Sequence, residues 1–109
     1  MNPLNITERT TSTGPVIAVA GDLDHAHAAD LRQRVESLAL RPGQRLVIDL
    51  AGLTFCDSSG ITAFLAARQH ALAAGADVVL TAVPANTLRV LTIVGLDQVF
   101  TLHAGGATD

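Results

Sequence analysis

Residues 46–61 of the chain read LVIDLAGLTFCDSSGI, and the fold follows from this stretch. Residues 46–50 are apolar apart from Asp49, which is typical of a strand that is buried on both faces and therefore central in a sheet. From Ile61 onward, apolar residues recur at helical spacing. A buried strand that leads into a helix favours an α/β fold with parallel strands. Between this strand and this helix lies the one cluster of polar residues in an otherwise apolar stretch, Cys56-Asp57-Ser58-Ser59-Gly60.

The segment before this stretch predicts a hairpin. Residues 4–11 alternate between apolar and polar side chains, as expected of a half-buried edge strand. Residues 12–15, Ser-Thr-Gly-Pro, are a turn signal, and residues 16–20 are an apolar run of the kind that is buried inside a sheet. These two strands are therefore expected to pair in antiparallel fashion.

A first helix is predicted between the hairpin and the central strand. Residues 21–24, Gly-Asp-Leu-Asp, are expected to break the second strand, and Asp24 is placed to cap the helix. Pro42-Gly43 then ends the connection to the central strand. The predicted buried stripe of this helix consists of Leu31, Val35 and Leu38.

Two more helices and two more strands are predicted after the polar cluster. The second helix ends at Gly75, and residues 78–80 form a buried strand after it. The third helix begins at Pro84 and ends at Gly95, with Leu96 packing back, and residues 99–102 form a last short strand. The predicted inner face of the second helix is Ile61, Phe64, Leu65, Arg68 and Leu72, and that of the third is Leu88, Leu91 and Val94.

The predicted order of elements is therefore β-β-α-β-α-β-α-β. This order favours a single α/β domain over residues 1–109, with a mixed, mostly parallel sheet of four to five strands, an amino-terminal antiparallel hairpin and three helices. The small and polar residues 103–109 are expected to be a disordered tail.

The composition excludes several classes of protein. The chain has 109 residues, 49% of them hydrophobic, and a net charge of −3, which favours one folded domain and disfavours nucleic-acid binding. All seven basic residues are arginines, so a phosphate-binding loop of the Gly-x4-Gly-Lys type is excluded. The chain shows no signal-peptide pattern, no apolar run long enough for a membrane span and no basic amphipathic helix. We therefore expect a cytoplasmic protein without membrane contact.

Enzymatic and metal-binding sites are also disfavoured. A hydrolase nucleophile of the Gly-x-Ser-x-Gly type would need glycine where Cys56 precedes Ser58 by two residues. Cys56, the single cysteine, is most simply a buried residue at a strand end. The four histidines, His25, His27, His70 and His103, lack the spacing of metal ligands. No catalytic residue, cofactor or metal site is predicted.

The polar cluster supports two interpretations that can coexist. Asp57 and the serines after it are ordinary capping residues for a helix that starts near Ile61. Loops at the carboxyl ends of parallel strands are also where α/β proteins meet ligands and partners. Gly60 would allow the backbone to approach closely at the helix start.

Residues 46–61 closely resemble the signature of STAS domains, specifically those of bacterial anti-sigma factor antagonists. Residues 21–24 are similar to the Gly-Glu-Leu-Asp of that family, and residues 91–96, Leu-Thr-Ile-Val-Gly-Leu, resemble its segment near the third helix. The resemblance covers residues 4–102 and implies the STAS fold.

The resemblance implies partner switching in transcription regulation and stress response. The unphosphorylated antagonist would bind an anti-sigma factor that is also a serine kinase, and this kinase would phosphorylate Ser58 and end the binding. A serine phosphatase would restore the active form. Asp57 would either orient Ser58 or only cap the helix, and Ser59 is expected to be structural. The partner-binding residues implied are Asp22, Asp24, Asp57, Ser58, Ser59, Gly60 and Thr62.

Two departures from the family leave a rival interpretation open. Thr62 stands where members often have glycine, and the sequence lacks the amphipathic terminal helix of many antagonists, so contacts through that helix are not expected. The rival is an unswitched STAS domain that serves as a scaffold in a larger assembly or as an accessory subunit of a transport system.

Overall fold

A computed structural model of the protein describes residues 2–104; Met1 and residues 105–109 lie outside the described part. Within residues 2–104 the chain forms six strands, three α-helices and one short 3₁₀ helix, Leu96–Gln98. The strands are β1 (Asn5–Thr11), β2 (Gly14–Leu23), β3 (Arg45–Asp49), β4 (Leu53–Cys56), β5 (Asp77–Val83) and β6 (Thr101–Ala104). The helices are α1 (Ala28–Glu36), α2 (Ser58–Ala73) and α3 (Ala85–Ile93).

The strands form a mixed sheet in the order β1-β2-β3-β5-β6. The predicted hairpin is confirmed, since β1 pairs antiparallel with β2 in a register that sets Asn5 opposite Ala20. All other pairs are parallel, and β3 is central between β2 and β5. The predicted α/β fold is therefore confirmed, with six strands in place of the four or five expected.

The additional strand is β4, which pairs with the last residues of β2. It escaped prediction because it has only four residues, of which Leu53 is buried while Thr54 and Phe55 are exposed. The prediction that residues 21–24 break β2 is wrong, because this part of the strand pairs with β4. The strand continues through Gly21, which has a φ of +91°, to Leu23, and this second half of β2 is the part that pairs with β4.

The predicted cap of α1 by Asp24 is wrong. The helix begins only at Ala28, and its cap position, His27, makes no side-chain capping bond. Asp24 instead stabilises the turn before the helix, because its Oδ1 accepts hydrogen bonds from Ala26 N at 3.1 Å and His27 Nδ1 at 2.7 Å. Of the predicted stripe, Leu31 and Val35 are fully buried, and Leu38 packs on the core from beyond the helix end.

The inner face of α2 differs from the predicted one. Phe64 is fully buried as expected, but Leu72 is exposed, and small residues supply most of the contact with the core. Helices can approach a neighbour closely where side chains are small, so the larger residues lie on the flanks. The buried residues of α2 are Gly60, Ala63, Phe64, Ala67 and Ala71.

The carboxyl-terminal ends of α2 and α3 are as predicted, but the last strand is shifted. Gly75 and Gly95 follow α2 and α3 with left-handed φ values of +75° and +82°. The 3₁₀ helix after Gly95 uses three residues, so β6 begins at Thr101, not at residue 99. The strand also extends two residues into the predicted tail; the remainder of that tail, residues 105–109, lies outside the described residues.

The core lies between this sheet and the helices. Ile17, Leu46, Ile48 and Leu80 of the three central strands are fully buried, as is Phe64 of α2. Helix α2 starts two residues after β4 ends, so its first turn lies at the carboxyl edge of the parallel strands. The polar cluster is therefore at the edge where α/β folds present their binding loops.

Candidate functional site

The carboxylate of Asp57 organises the start of α2. Its Oδ1 accepts hydrogen bonds from Ser59 N at 2.8 Å and from Gly60 N at 3.3 Å, so the predicted cap is confirmed. Its Oδ2 accepts a further hydrogen bond from His25 N at 3.2 Å. One side chain therefore joins the first turn of α2 to the turn between β2 and α1.

The two serines of the cluster are in different environments. Ser58 is the first residue of α2 and is exposed. Among residues 2–104 its hydroxyl makes no hydrogen bond, while its carbonyl oxygen accepts one from Thr62 Oγ1 at 3.0 Å. Ser59 is half-buried, and its Oγ lies 3.4 Å from His25 Nδ1. The hydroxyl of Ser58 is thus the accessible one.

Gly60 brings the helix close to the end of β2, as the sequence predicts. A Cβ at this position would lie 2.5 Å from Cys56 Sγ and 2.9 Å from Leu23 Cδ2. No side chain fits there without movement of these neighbours. The glycine therefore sets how closely the first turn of α2 packs on the strands.

Cys56 is adjacent to the serines, but its thiol is poorly reactive. Burial, together with the nearby charge of Asp57, raises the pKa of the Cys56 thiol to about 12. A thiol with so high a pKa stays protonated at neutral pH and is a poor nucleophile and metal ligand. Among residues 2–104 no group of histidine, cysteine and acidic side chains could hold a metal ion.

Asp22 and Asp24 lie at the end of β2 and are both engaged in local structure. Asp22 accepts hydrogen bonds from Thr54 Oγ1 at 2.7 Å and from Asn2 N at 3.1 Å, and these bonds lower its pKa. The hydrogen bond from His27 lowers the pKa of Asp24. Asp24 is next to His25 and so borders the serine cluster. Asp22 instead connects β4 to the amino-terminal segment.

A groove of about 510 Å³ opens beside Ser58, between the first turn of α2 and the end of α3. Five of its lining residues were not predicted as site residues, because the groove depends on the placement of α3 beside α2. Val94 had been assigned to the buried stripe of α3, yet it is exposed. A sequence signal did exist, since residues 90, 93 and 94 form a second apolar stripe at helical spacing. The lining residues are Cys56, Asp57, Ser58, Ile61, Thr62, Val90, Val94 and Leu96.

A second, smaller cleft lies on the other side of Thr62. It has a volume of about 250 Å³ and runs between α1 and α2, where Arg32 and His25 face Ser59. Thr62 lines both clefts and is exposed. Its side chain therefore lies at the centre of the surface around the serine cluster.

Comparison with known proteins identifies the family. Residues 6–103 match the family described as Mlab, STAS domain. The chain belongs to the STAS-domain family. It is also similar to a STAS-domain containing protein of Pseudomonas aeruginosa (strain UCBPP-PA14), with 31% identity over 84 residues, which is 77% of this chain and 82% of the relative.

Solved structures of STAS proteins share the fold. An anti-sigma factor antagonist from Mycobacterium paratuberculosis superposes with a TM-score of 0.77 and 25% identity, over 93% of this chain and 86% of the antagonist. The anti-sigma factor antagonist SpoIIAA in its unphosphorylated form superposes with a TM-score of 0.76 and 20% identity, over 96% of this chain and 90% of SpoIIAA. A sulfate transporter family protein from Wolinella succinogenes superposes with a TM-score of 0.70 and 12% identity, over 81% of this chain and 74% of that protein. The resemblance noted in the sequence is thus confirmed.

None of the helices within residues 2–104 is long and apolar enough to cross a membrane.

Proposed function

We propose that this STAS domain is an anti-sigma factor antagonist that is switched by phosphorylation of Ser58 and has no enzymatic activity of its own. In its unphosphorylated form it binds an anti-sigma factor with serine kinase activity in the cytoplasm and so regulates transcription. Phosphorylation by that kinase ends the binding, and a serine phosphatase reverses it. The observation that carries this proposal is an exposed serine hydroxyl, free of hydrogen bonds within residues 2–104, at the edge of an apolar groove.

The environments of the two serines favour Ser58 as the modified residue. A kinase needs access to the hydroxyl, and Ser58 is exposed while Ser59 is half-buried and faces His25. Modification of Ser59 would also disturb the contact between the β2–α1 turn and α2. Ser59 is therefore the structural serine in this proposal.

A phosphate on Ser58 would remain at the surface. Asp57 already accepts hydrogen bonds from the amides of Ser59 and Gly60, so the phosphate would not take these donors. The helix macrodipole still favours negative charge at this end, which offsets repulsion from Asp57. The fold should tolerate a group of about −1.5 to −2 charges here, while a partner would have to desolvate it.

The other predicted partner-binding residues take different roles in this proposal. Thr62, exposed beside Ser58, is available for direct contact, whereas Asp24, Asp57, Ser59 and Gly60 shape the surface around it. Asp22 acts indirectly, through its hydrogen bond to Thr54 of β4.

A second candidate function is an unswitched accessory domain of a transport system. The sulfate transporter family protein has the same fold, and this likeness supports the candidate at the level of the fold alone. In that function Ser58 would not be phosphorylated, so the state of this serine separates the two candidates.

The proposed function is tested by phosphorylation and binding together. The protein is incubated with ATP and each purified serine-kinase anti-sigma factor of the source organism, and the modified residue is identified by mass spectrometry. Ser58→Ala should abolish modification, and Ser59→Ala should not. Ser58→Asp should lose about 3 kcal/mol of binding, more than a hundredfold, because it places a charge at the interface.

The melting temperature of Ser58→Asp provides the control. It should stay within about 2 °C of the wild-type value, since an acidic residue is well tolerated in the first turn of a helix. If Ser58 stays unmodified with every kinase while Ser58→Asp binds partners like the wild type, the switch is wrong. Equal losses of stability and binding would instead show that Ser58 is only structural.

A further inference from the structure

Residues 2–3, at the amino-terminal end of the chain, form a strap along the last residues of β2. The backbones are joined there, since Asp22 N donates a hydrogen bond to Asn2 O at 3.0 Å. The close approach depends on Gly21, which has a φ of +91° and on which a Cβ would collide with the carbonyl oxygen of Pro3. The end of β2 is therefore shaped to hold the strap.

A polar network ties the strap to β4. Thr54 Oγ1 donates a hydrogen bond to Asp22 Oδ1 at 2.7 Å, and Asn2 N donates one to Asp22 Oδ2 at 3.1 Å. Asn2 Nδ2 donates to Thr54 Oγ1 at 3.3 Å and closes the network. The hydrogen bond from Thr54, followed by that from Asn2, lowers the pKa of Asp22, because both favour the charged carboxylate. One carboxylate and one hydroxyl thus join the strap, β2 and β4.

Strand β4 has few other contacts that hold it in place. It has four residues, of which Leu53 alone is buried. Among residues 2–104 it pairs with β2 only, and the register of this pairing shifts between Gly21 and Asp22. Segments with few buried contacts open locally at a lower free energy than the core does. The hydrogen bonds of the network should therefore have a measurable effect on how often β4 opens.

The position of β4 in turn sets the position of the serine cluster. Asp57 follows directly after β4, and its amide donates a hydrogen bond to Leu23 O of β2 at 3.3 Å. The Asp57 carboxylate then caps α2 through Ser59 N and Gly60 N. A displacement of β4 would be transmitted through this cap to the hydroxyl of Ser58.

We propose that Asp22 and Thr54 are positioning residues for the phosphorylation of Ser58, and that the strap holds β4 closed so that this hydroxyl keeps one reactive position. The inference rests on the proposed function and names the residues through which its reaction is controlled. Neither Asp22 nor Thr54 lines the groove beside Ser58. Loss of the network should therefore slow phosphoryl transfer more than it weakens docking of the kinase, because transfer depends on the placement of the hydroxyl.

Hydrogen exchange followed by NMR tests whether the network holds β4. Thr54→Val removes the hydroxyl but changes neither the shape nor the charge of the side chain, and both side-chain hydrogen bonds are lost. Protection factors of the β4 amides should fall at least about threefold in this variant, and those of β3 should not change. Thr54→Ser keeps the hydroxyl and should stay within about twofold of the wild type. Unchanged protection of β4 in Thr54→Val would overturn the inference.

Initial rates with the purified anti-sigma factor that phosphorylates Ser58 in the assay above test the positioning role. Thr54→Val should lower kcat at least about threefold and leave the KM for the antagonist within about twofold, and Thr54→Ser should retain the wild-type kcat. Asp22→Asn should act in the same direction, since only one of its two terminal side-chain atoms accepts hydrogen bonds. A kcat that is unchanged or higher in Thr54→Val, or a change in KM alone, would contradict the positioning role.

The two measurements separate this inference from the proposed function. If Ser58 is phosphorylated equally fast in the wild type and in Thr54→Val, the switch stands and the positioning role is wrong. If no kinase modifies the wild type, the proposed function is wrong and the positioning role fails with it. Protection of β4 then decides by itself whether the strap holds this strand.

Discussion

At the scale of single residues, Asp57 shows which part of the site a sequence can predict. An aspartate before an apolar helical stripe predicts a cap, and the hydrogen bonds to Ser59 N and Gly60 N confirm it. The hydrogen bond from His25 N, 32 positions away, could not be predicted, because it depends on the turn that precedes α1. Local hydrogen bonds leave a sequence signal, and those between distant loops do not.

Gly60→Ala should destabilise the protein by about 1–3 kcal/mol, although alanine is the better helix former. The added Cβ would lie 2.5 Å from Cys56 Sγ and 2.9 Å from Leu23 Cδ2, and Leu23 is fully buried. Urea denaturation of the variant measures the loss. Ser59→Ala, one position earlier, is the control and should lose at most about 1 kcal/mol with its hydrogen bond.

The Cys56→Ala background identifies the cause of that loss. Removing Sγ makes room for the new methyl group, so Gly60→Ala should cost less in this background than alone. The double-mutant cycle gives the coupling between the two positions. An equal cost in both backgrounds would locate the clash elsewhere and contradict the packing described for Gly60.

At the scale of elements, the sequence predicted those strands that have a long apolar pattern. It did not predict features that are set by contacts between elements. The hairpin and the buried strand β3 have clear apolar patterns, and both are present. The face of α2 was misplaced because hydropathy favours large residues, whereas the helix packs on the core through Ala63, Ala67 and Ala71. Strand β4 has one buried residue and is defined only by its pairing with β2.

Strand β5 contains a residue whose conformation is costly for its type. Ala82 has a φ of +53°, where the pairing of β5 with β6 shifts register between Leu80 and Val83. The left-handed region costs a residue with a Cβ about 1–2 kcal/mol. Ala82→Gly should therefore raise the free energy of unfolding by about 0.5–1 kcal/mol, after allowance for the greater entropy of glycine in the unfolded chain.

Ala18→Gly is the matched control for this substitution. Ala18 is also half-buried in a strand, but its backbone is paired on both sides, with Thr7 and with Asp49. Glycine there should lower stability by about 0.5–1 kcal/mol. Chemical denaturation of both variants compares them directly. Similar losses in the two would show that Ala82 is not strained in solution.

At the scale of the whole molecule, the topology could be predicted from the sequence and the groove beside Ser58 could not. Alternating strands and helices favour right-handed parallel crossovers, and the apolar pattern of residues 46–50 predicts a central strand, which is β3 between β2 and β5. The groove beside Ser58 arises only when α3 and the 3₁₀ helix pack near the start of α2. Val90 and Val94 belong to an apolar stripe that is present in the sequence, but only the packing of α3 places them at the groove.

The same topology predicts where the molecule is most stable. Residues 46–48 of β3 lie between two parallel neighbours, and Leu46 and Ile48 are fully buried. Strands β1 and β6 are at the edges of the sheet and pair on one side only among residues 2–104. Amides of β3 should exchange with solvent only on global unfolding, at least about a hundredfold more slowly than those of β1 and β6, which open locally.

Hydrogen exchange followed by NMR measures this order and also tests whether the switch is confined to the surface. Ser58→Asp should leave the protection of residues 46–48 unchanged, because Ser58 lies outside the core and Asp57 keeps the amides that cap α2. Only the first turn of α2 and the turn near His25 should respond. If protection falls across β3 as well, the charge at Ser58 weakens the whole domain. Loss of partner binding would then result from unfolding and not from the charge at the binding surface.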